Sequence, residues 1–522
     1  MRPPMVDVRY MYNTIVCPPV GLAYVAAAAR DAGHDVEVID AVGEAPNRVR
    51  PLDDPSYLLR GLSVDEVAAR VSPHADVVGV SCMFSQDWPH LRGLLDALRR
   101  RAPGAVIVAG GEHVTALPEH VLADGPVDHC VLGEGEETFV DLLDALAGSR
   151  PVESVPGLAS RAGGGIRTAP RARIRAIDSI APPAWDLFPI DRYLAGGHGF
   201  GVHRGRSMPI VATRGCPYRC TFCSSPDMWT TRWSARDPDA VLREMFGYVE
   251  RYGARNFDFY DLTAIVKRDW IVRFCRSLIE RRLDVTWQLP TGTRSEAIDE
   301  EVAELLARAG CRNITYAPES GSPSELERIG KRIRLDRMKR SIAACVRRGL
   351  YVKVNIVIGF RGQTARELLE TLVFLAELAV VGARDVIISI FSPYPGSHMY
   401  RELRAAGRIG PPDDRYFLEL STIQDLSRSV SWAEALSARQ LGAARWLGNL
   451  LFYGVSFALR PSRPVATLVN VVRGREEANL DRALVDLARR AFPGLRRVLA
   501  SLVWALEANP QAFRPMARAH GG

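Results

Sequence analysis

Three cysteines at C-x3-C-x2-C spacing, Cys216, Cys220 and Cys223, carry the strongest chemical signal in the chain. They sit in the run Thr213-Arg-Gly-Cys-Pro-Tyr-Arg-Cys-Thr-Phe-Cys-Ser-Ser-Pro226, after an apolar, strand-like stretch at 208–213. Three thiolates on one tight loop suit three irons of a cubane iron–sulfur cluster. The next cysteine is Cys275, which leaves one iron of such a cluster open to another ligand. A closed zinc site wants four ligands, usually as two pairs, and no His lies between or just after these cysteines. A disulfide is disfavoured, because three cysteines this close on one loop pair badly.

Something rigid must hold that loop. Residues 206–400 alternate strand and helix patterns, with strands expected at 210–213, 256–260, 285–289, 313–317, 352–358 and 385–391, and helices such as 299–309 between them. Six strands with crossovers suit a partial (β/α)6 barrel of the TIM type, whose active sites lie at the C-terminal strand ends. Residues 1–150 alternate similarly: a helix at 21–32, strands at 34–40 and 75–81, an amphipathic helix at 88–101, and strands at 105–111 and 129–133. Short apolar strands separated by helices indicate an α/β, doubly wound, Rossmann-like sheet. Ligands of such sheets bind beyond the carboxyl ends of the strands. The loops there are 81–86, 110–116 and 133–138, and their glycines allow backbone to approach a bulky ligand. The segment before Pro18 is short. Its first strand is expected at 6–10, so either that strand is abbreviated or the true start lies upstream. Residues 151–205, rich in Gly and Pro, read as a linker. Residues 401–522 read as helices, for example 431–451 and 480–491, expected to cap the barrel mouth and shape a substrate pocket.

Composition narrows the field. With 522 residues, 47% of them hydrophobic, and a net charge of +7, the chain reads as several globular domains with no nucleic-acid-binding stripe. Nine cysteines without a secretory signal imply a reducing cytoplasm. Cys17, Cys82, Cys130, Cys275, Cys311 and Cys345 mostly sit in apolar runs and read as core. No apolar run is long enough for a spanning helix. The apolar stretch 447–459 reads as a core or interfacial helix, and the apolar character of residues 401–522 leaves a hydrophobic substrate, a peripheral membrane contact or plain helix packing open.

Cys216-x3-Cys220-x-Phe222-Cys223 resembles the signature of the radical S-adenosylmethionine (AdoMet) enzymes. The resemblance implies that the three cysteines hold a 4Fe–4S cluster and that the open iron chelates the amino and carboxylate groups of AdoMet. Reduction would split AdoMet to methionine and a 5′-deoxyadenosyl radical, which abstracts a hydrogen atom. It also implies an electron donor such as flavodoxin or ferredoxin. Phe222 would pack by the adenine. AdoMet contacts are expected at the strand ends: Tyr260 in Phe259-Tyr-Asp-Leu-Thr263, Arg294 in Thr293-Arg-Ser295, Glu319 and Ser320 in Pro318-Glu-Ser-Gly-Ser322, then Lys331 or Arg334, and Asn355. Glu319 can accept hydrogen bonds from hydroxyls or an ammonium, and Lys331 or Arg334 could pair with a carboxylate. Relatives often read Gly-Phe-Pro-x-Glu-Thr after the fifth strand. Here Gly359-Phe-Arg-Gly-Gln-Thr364 removes the acidic residue from that place.

Residues 15–150 add a second resemblance. Pro18-Pro-Val-Gly-Leu-Ala-Tyr24, the Gly110-Gly-Glu-His-Val-Thr block and Gly133-Glu-Gly-Glu-Glu-Thr138 are together similar to the cobalamin-binding domain of cobalamin-dependent radical AdoMet enzymes. The implied cobalamin contacts are Pro19, Gly21, Ser81, Gly110, Gly111, His113, Thr115, Gly133 and Glu134. The Asp-x-His-x-x-Gly motif that ligates cobalt elsewhere is absent, so His113 is expected to touch the corrin or order its loop. The implied division is cobalamin binding in 1–150, a linker in 151–205, the radical barrel in 206–400 and helices in 401–522. The implied activity is C-methylation of a small molecule, and the alternative is a cyclisation or rearrangement without net methyl transfer. No catalytic side chain is required of the protein, because the cofactors carry the chemistry. A cofactor-binding sensor would have no use for the cysteines. A tRNA-modifying enzyme would carry an added RNA-binding module and a more basic surface.

Overall fold

The computed structural model describes residues 1–9, 15–294 and 297–491, with side chains described as far as Val485. Ser295 and Tyr10 therefore lie outside the described residues. The amino-terminal part holds two sheets. A small antiparallel one is formed by β1 (Met5–Val8), β2 (Val49–Pro51) and β3 (Tyr57–Arg60), in the order β1-β3-β2. The main one runs β4-β5-β6-β7-β8, from β4 (Val77–Ser81), β5 (Val106–Gly110), β6 (His129–Val131), β7 (Leu158–Ala162) and β8 (Gly165–Thr168). β4, β5 and β6 are parallel, with helices crossing between them, as the alternation of short apolar runs requires.

Two expected strands change here. The strand at 6–10 joins the small sheet instead, with β1 antiparallel to β3. Residues 34–39 form no strand. Met1 and Arg2 lie between Asp40 and β4, where Arg2 N–H donates to the Ile39 carbonyl (2.8 Å) and the Ser81 N–H to the Met1 carbonyl (3.0 Å). A single parallel bridge, Arg2 to Asp40, results. Two residues are too few for a ladder. The expected linker also carries structure: β7 and β8 turn at Gly163-Gly164, both at positive φ, and extend the main sheet.

The second half begins with β9 (Ser207–Ile210), followed by a short pair, β10 (Thr213–Arg214) and β11 (Ser234–Ala235). The remaining strands are β12 (Asn256–Phe259), β13 (Thr286–Thr293), β14 (Cys311–Glu319), β15 (Tyr351–Ile358) and β16 (Asp385–Ile390). Six of these make an all-parallel sheet in the order β9-β12-β13-β14-β15-β16, the partial barrel that the sequence predicts. On β15, Val352, Val354, Ile356 and Ile358 are buried in the core shared with the outer helices, while Lys353, Asn355 and Val357 take the other face. Inside the barrel the alternation leaves a polar lining that includes Asn256, Asp258, Gln288 and Lys353. Asn256 and Gln288 both donate to Asp258, at 2.9 and 2.7 Å.

The C-terminal helices divide between the two ends of the barrel. The helix Asp414–Leu420 lies at the mouth side as expected, where the Tyr416 hydroxyl donates to the Pro393 carbonyl after β16 (2.6 Å) and Phe417 meets His113. Asp385, at the start of β16, accepts the Asn479 N–H (2.7 Å), and Arg204 bridges Asn313 and Glu477, so residues 476–482 close the opposite end of the barrel. The helix expected at 431–451 runs Ala438–Leu459, because Ser437 and Gln440 form a capping box that fixes its start. It covers the outer side of β16. Gly448 permits this approach, since a Cβ there would stand 2.6 Å from Ile388.

Candidate functional site

The cysteine loop leaves β10 and ends at the short helix Ser225–Trp229. Its shape is set from three sides. The Cys223 N–H donates to the Cys220 carbonyl (3.2 Å), the Thr221 N–H to the Ile329 carbonyl (2.9 Å), and the Met399 N–H to the Thr221 carbonyl (2.9 Å). Phe222 packs on Phe360, with ring centroids 5.2 Å apart, so it anchors the loop to the segment after β15. The three thiols are half-buried and unpaired by disulfides. Burial pushes the Cys223 thiol up to about 12, and the thiols of Cys220 and Cys216 lie close enough to add to that rise. Among the described residues no three His, Cys, Asp or Glu side chains converge on a single ion. A trio spread around one loop instead fits one cysteine to each of three irons.

Polar side chains gather beside this loop. Glu319 ends β14 with φ of 69°, a left-handed conformation that turns the chain sharply. Its carboxylate meets Lys331 Nζ at 3.1 Å, and both side chains are about nine-tenths buried. Burial disfavours the Lys331 ammonium, but Glu319 and Cys220 outweigh it and raise its pKa. Arg294 stacks over the Tyr218 ring of the cysteine loop at 3.5 Å. Asn355 lies on the lumen face of β15, and its Oδ1 is buried without a hydrogen-bond partner. A buried acceptor without a donor suits a ligand that brings one.

Other expected contacts are placed differently. Arg334 is exposed, so of the two cations only Lys331 faces the cluster loop. The Ser320 hydroxyl is fully buried, donating to Glu325 (2.7 Å) and meeting Thr371 (3.1 Å), so its side chain braces the turn. Tyr260 turns its hydroxyl to Cys17 and its ring to Phe200, 5.6 Å away. Cys17 thus lies where the amino-terminal segment meets the barrel and is not a plain core residue. Gln363 explains the missing acid: its amide donates to Glu325 (2.8 Å) and its oxygen accepts the Gly359 N–H (2.7 Å). A glutamate at that place would set two carboxylates against each other.

The glycine loops of the main sheet face the cysteine loop. Gly111 has φ of 116°, and a Cβ there would lie 2.4 Å from the Cys82 carbonyl oxygen, so only glycine fits. Thr115 ties two loops together, accepting the Gly133 N–H (2.9 Å) and donating to the Gly111 carbonyl (2.9 Å). Gly21, in the first turn of the helix Val20–Asp31 that follows Pro19, has nothing within 4 Å of a Cβ. Met83 and Phe84, on the loop after Ser81, are exposed apolar side chains. Glycine backbone, open space and exposed apolar groups fit a large flat cofactor. His113 does not point at it. Its ring is buried between Trp88 (5.2 Å) and Phe417 (5.3 Å), and Nδ1 bonds Ser85 at 2.9 Å. It orders the loop, the second of the two expected roles.

Glu134 also departs from its expected place. Its carboxylate takes Arg214 Nη1 (3.0 Å), Arg173 Nε (3.2 Å) and the Ile174 N–H (2.9 Å), and Arg214 turns its other nitrogen to Glu136 (2.5 Å). All four charged side chains are buried. Arg214 stands two residues before Cys216, so this ion cluster fixes the cysteine loop to the amino-terminal sheet. Glu112 adds a second tie, accepting from Ser224 just after Cys223. Sequence alone singled out neither Arg214 nor Glu136. The only available signal was the unusual density of acids in Gly133-Glu-Gly-Glu-Glu-Thr138.

Comparison with known proteins agrees with this geometry. The family model for the B12 binding domain matches residues 14–143, and that for the radical SAM superfamily matches 210–375. An uncharacterized methyltransferase of Pyrococcus horikoshii is 30% identical over 79% of this chain and 84% of its own length. The cytidylyl-2-hydroxyethylphosphonate methyltransferase of Streptomyces wedmorensis is 27% identical, covering 76% and 80%. The anaerobic magnesium-protoporphyrin IX monomethyl ester cyclase of Rubrivivax gelatinosus is 26% identical, covering 74% and 66%. The fold matches that of OxsB, a cobalamin-dependent AdoMet radical enzyme solved with aqua-cobalamin and AdoMet, with a TM-score of 0.66, 15% identity and coverage of 91% of this chain and 73% of that one. The chain belongs to the cobalamin-dependent radical AdoMet enzymes. Its cofactors are a 4Fe–4S cluster, AdoMet and cobalamin.

Proposed function

We propose that the protein methylates a carbon of a small molecule in the cleft between the glycine loops and the barrel mouth. The observation that carries this is the facing of two strand-end surfaces across one cysteine loop, with Gly133 against the Met228 carbonyl and Glu112 against Ser224. When bound, the cluster supplies reductive cleavage of AdoMet and cobalamin supplies a transferable methyl group.

The protein's residues hold and orient. Cys216, Cys220 and Cys223 ligate three irons. Lys331, held by Glu319, offers its ammonium to the AdoMet carboxylate; Arg294 and Asn355 contact the rest of that molecule, and Phe222 borders the adenine. Pro19, Gly21, Ser81, Gly110, Gly111, Thr115 and Gly133 form the corrin's bed. Residues 1–150, with the hairpin to Thr168, hold cobalamin, 206–400 hold the cluster and AdoMet, and of the C-terminal helices 414–420 border the mouth while 476–482 close the barrel's far end. The substrate is small and reached from the cleft, where Met83, Phe84 and Leu262 are exposed apolar groups that favour an apolar one. The electron donor is a low-potential protein such as flavodoxin or ferredoxin, and the compartment is the reducing cytoplasm. Among the described residues no helix is long and apolar enough to cross a membrane.

The cyclase among the relatives supports a second reading, ring formation without net methyl transfer. Anaerobically purified protein with bound cobalamin, given AdoMet, a reductant and candidate substrates, separates the two. Methylation yields S-adenosylhomocysteine and 5′-deoxyadenosine in equal amounts, with a deuterated AdoMet methyl group in the product. 5′-Deoxyadenosine alone, with no label transferred, would overturn methylation in favour of cyclisation. Cys220→Ala should lower bound iron and cut 5′-deoxyadenosine formation at least ~1,000-fold while cobalamin stays bound.

A further inference from the structure

The outer face of the helix Ala438–Leu459 is apolar along its length. Ala443, Trp446, Leu447, Leu450, Gly454 and Ala458 recur at helical spacing and are exposed, Trp446 by 51% and Leu450 by 69%. After Arg439 the helix has one charged residue, Arg445, and that one is buried. The neighbouring helix Ala365–Val381 adds Leu369, Val373 and Val380, all more than half exposed. On that helix Glu377 stands between Val373 and Val380, paired to Lys339 (2.9 Å), so the uninterrupted apolar face is that of Ala438–Leu459. Helices on the outside of a barrel ordinarily carry charge on such a face, and its absence marks an interaction surface.

Charge decides what the partner is. Residues 435–475 contain no Asp or Glu and six arginines: Arg439, Arg445, Arg460, Arg463, Arg473 and Arg475. Arg460 and Arg463 hold the helix end in place, donating to the carbonyls of Ala379, Val380, Gly382 and Ala383. We propose that this face rests on an anionic lipid surface. A helix of this length lies ~33 Å along the interface, with Trp446 and the leucines below the headgroups and the exposed Arg439, Arg473 and Arg475 among them. A second copy of the same face would set one cationic patch against another. The proposal is independent of the reaction assigned above.

The test is flotation of the full-length, cofactor-loaded enzyme with vesicles of phosphatidylcholine, alone or mixed with phosphatidylglycerol. Binding is expected to the mixed vesicles, weakening as salt rises. Trp446→Gln/Leu450→Gln should bind them at least ~10-fold more weakly, with unchanged melting temperature and 5′-deoxyadenosine yield. Should that variant fold poorly, Arg439→Gln/Arg475→Gln should reduce binding and flatten its salt dependence. No binding to mixed vesicles overturns the proposal, as does binding that neither variant weakens. Self-association abolished by the first variant would assign the face to a second copy instead. Vesicle binding gained only on deleting residues 492–522 would assign it to the chain's own end.

Discussion

The two surfaces that face each other across the cysteine loop are made of different materials. At the barrel end, side chains do the work: Lys331 against Glu319, Arg294 on Tyr218, and the unpartnered Asn355. At the glycine end, backbone does it. Gly111 and Gly133 stand at positive φ, Thr115 ties their loops, and the nearest acids, Glu112 and Glu134, turn away to Ser224 and Arg214. The difference follows from the ligands assigned to each end. AdoMet is a small zwitterion, recognised by placed charges. A corrin is broad and rigid, recognised by shape and close backbone approach. One end should therefore be sensitive to removing side chains and the other to adding them.

The largest effect should come from the residue that joins the ends. Arg214→Met leaves Glu134 and Glu136 buried without their shared cation, which costs about 3–5 kcal/mol. Thermal unfolding should show the loss, and both iron and cobalamin content should fall together. Loss of one cofactor alone would mean that the ion cluster serves only its own side. Next in size, Gly111→Ala forces a strained φ and a Cβ into the Cys82 carbonyl, at ~3 kcal/mol or more. Cobalamin should be lost while iron stays. Gly110→Ala isolates the cofactor term, because its Cβ would meet nothing nearer than Val131 at 3.7 Å. That variant should melt normally yet hold cobalamin less well. Normal cobalamin binding there would break the assignment of Gly110 to the corrin's bed.

The barrel was more legible in the sequence than the amino-terminal sheet, for a physical reason. Each barrel strand buries one face in a large core, so period-two patterns in 285–289 or 352–358 are strongly imposed. The first barrel strand, expected at 210–213, runs Ser207–Ile210 instead, and β13 and β14 run longer than their apolar runs, because lumen-facing polar residues such as Gln288 and Thr315 do not interrupt a strand. Residues 34–40 carry the same pattern but lack a long enough neighbour to pair with, and pairing is not written in a single segment. The cysteine trio and the glycine loops were readable because their spacing is local. The Arg214–Glu134–Glu136 cluster joins residues some eighty positions apart, and nothing in either segment announces the other. His113 and Ser320 were misleading in the same way. A polar residue in a strand-end loop looks alike whether it faces a ligand or a buried neighbour.

Acid–base behaviour sharpens the contrast, because burial pushes two groups behind the glycine end, Asp87 and His113, toward their neutral forms. Asp87 is fully enclosed and accepts the Val6 N–H at 2.8 Å. Burial, with help from Asp7 and against Arg2, pushes its carboxyl from 3.8 up to about 7; Cys82 and Tyr394 also stand near it. A carboxyl raised by folding binds its proton more tightly in the folded state. Its stabilising contribution is present below pH 4 and is lost as pH rises through about 7. Asp87→Asn should remove that slope and raise stability at pH 7 by as much as ~3 kcal/mol, read from denaturant unfolding at several pH values. An unchanged pH profile would mean that Asp87 ionises freely in the folded protein.

The smallest effect belongs to the most tempting residue. Burial holds the His113 imidazole down at about 3, so it stays neutral between Trp88 and Phe417, and its contribution fades only as pH falls below 6.5. Phenylalanine fills the same slot and gives up one hydrogen bond to Ser85 while removing a buried Nε2 that has no partner. His113→Phe should therefore change stability by no more than about 1 kcal/mol. The visible spectrum of bound cobalamin should not move, since the ring orders the loop from behind. A cobalt ligand would show the opposite: a shifted spectrum and loosened cofactor. That result would place a side chain at the centre of the end that otherwise relies on backbone alone.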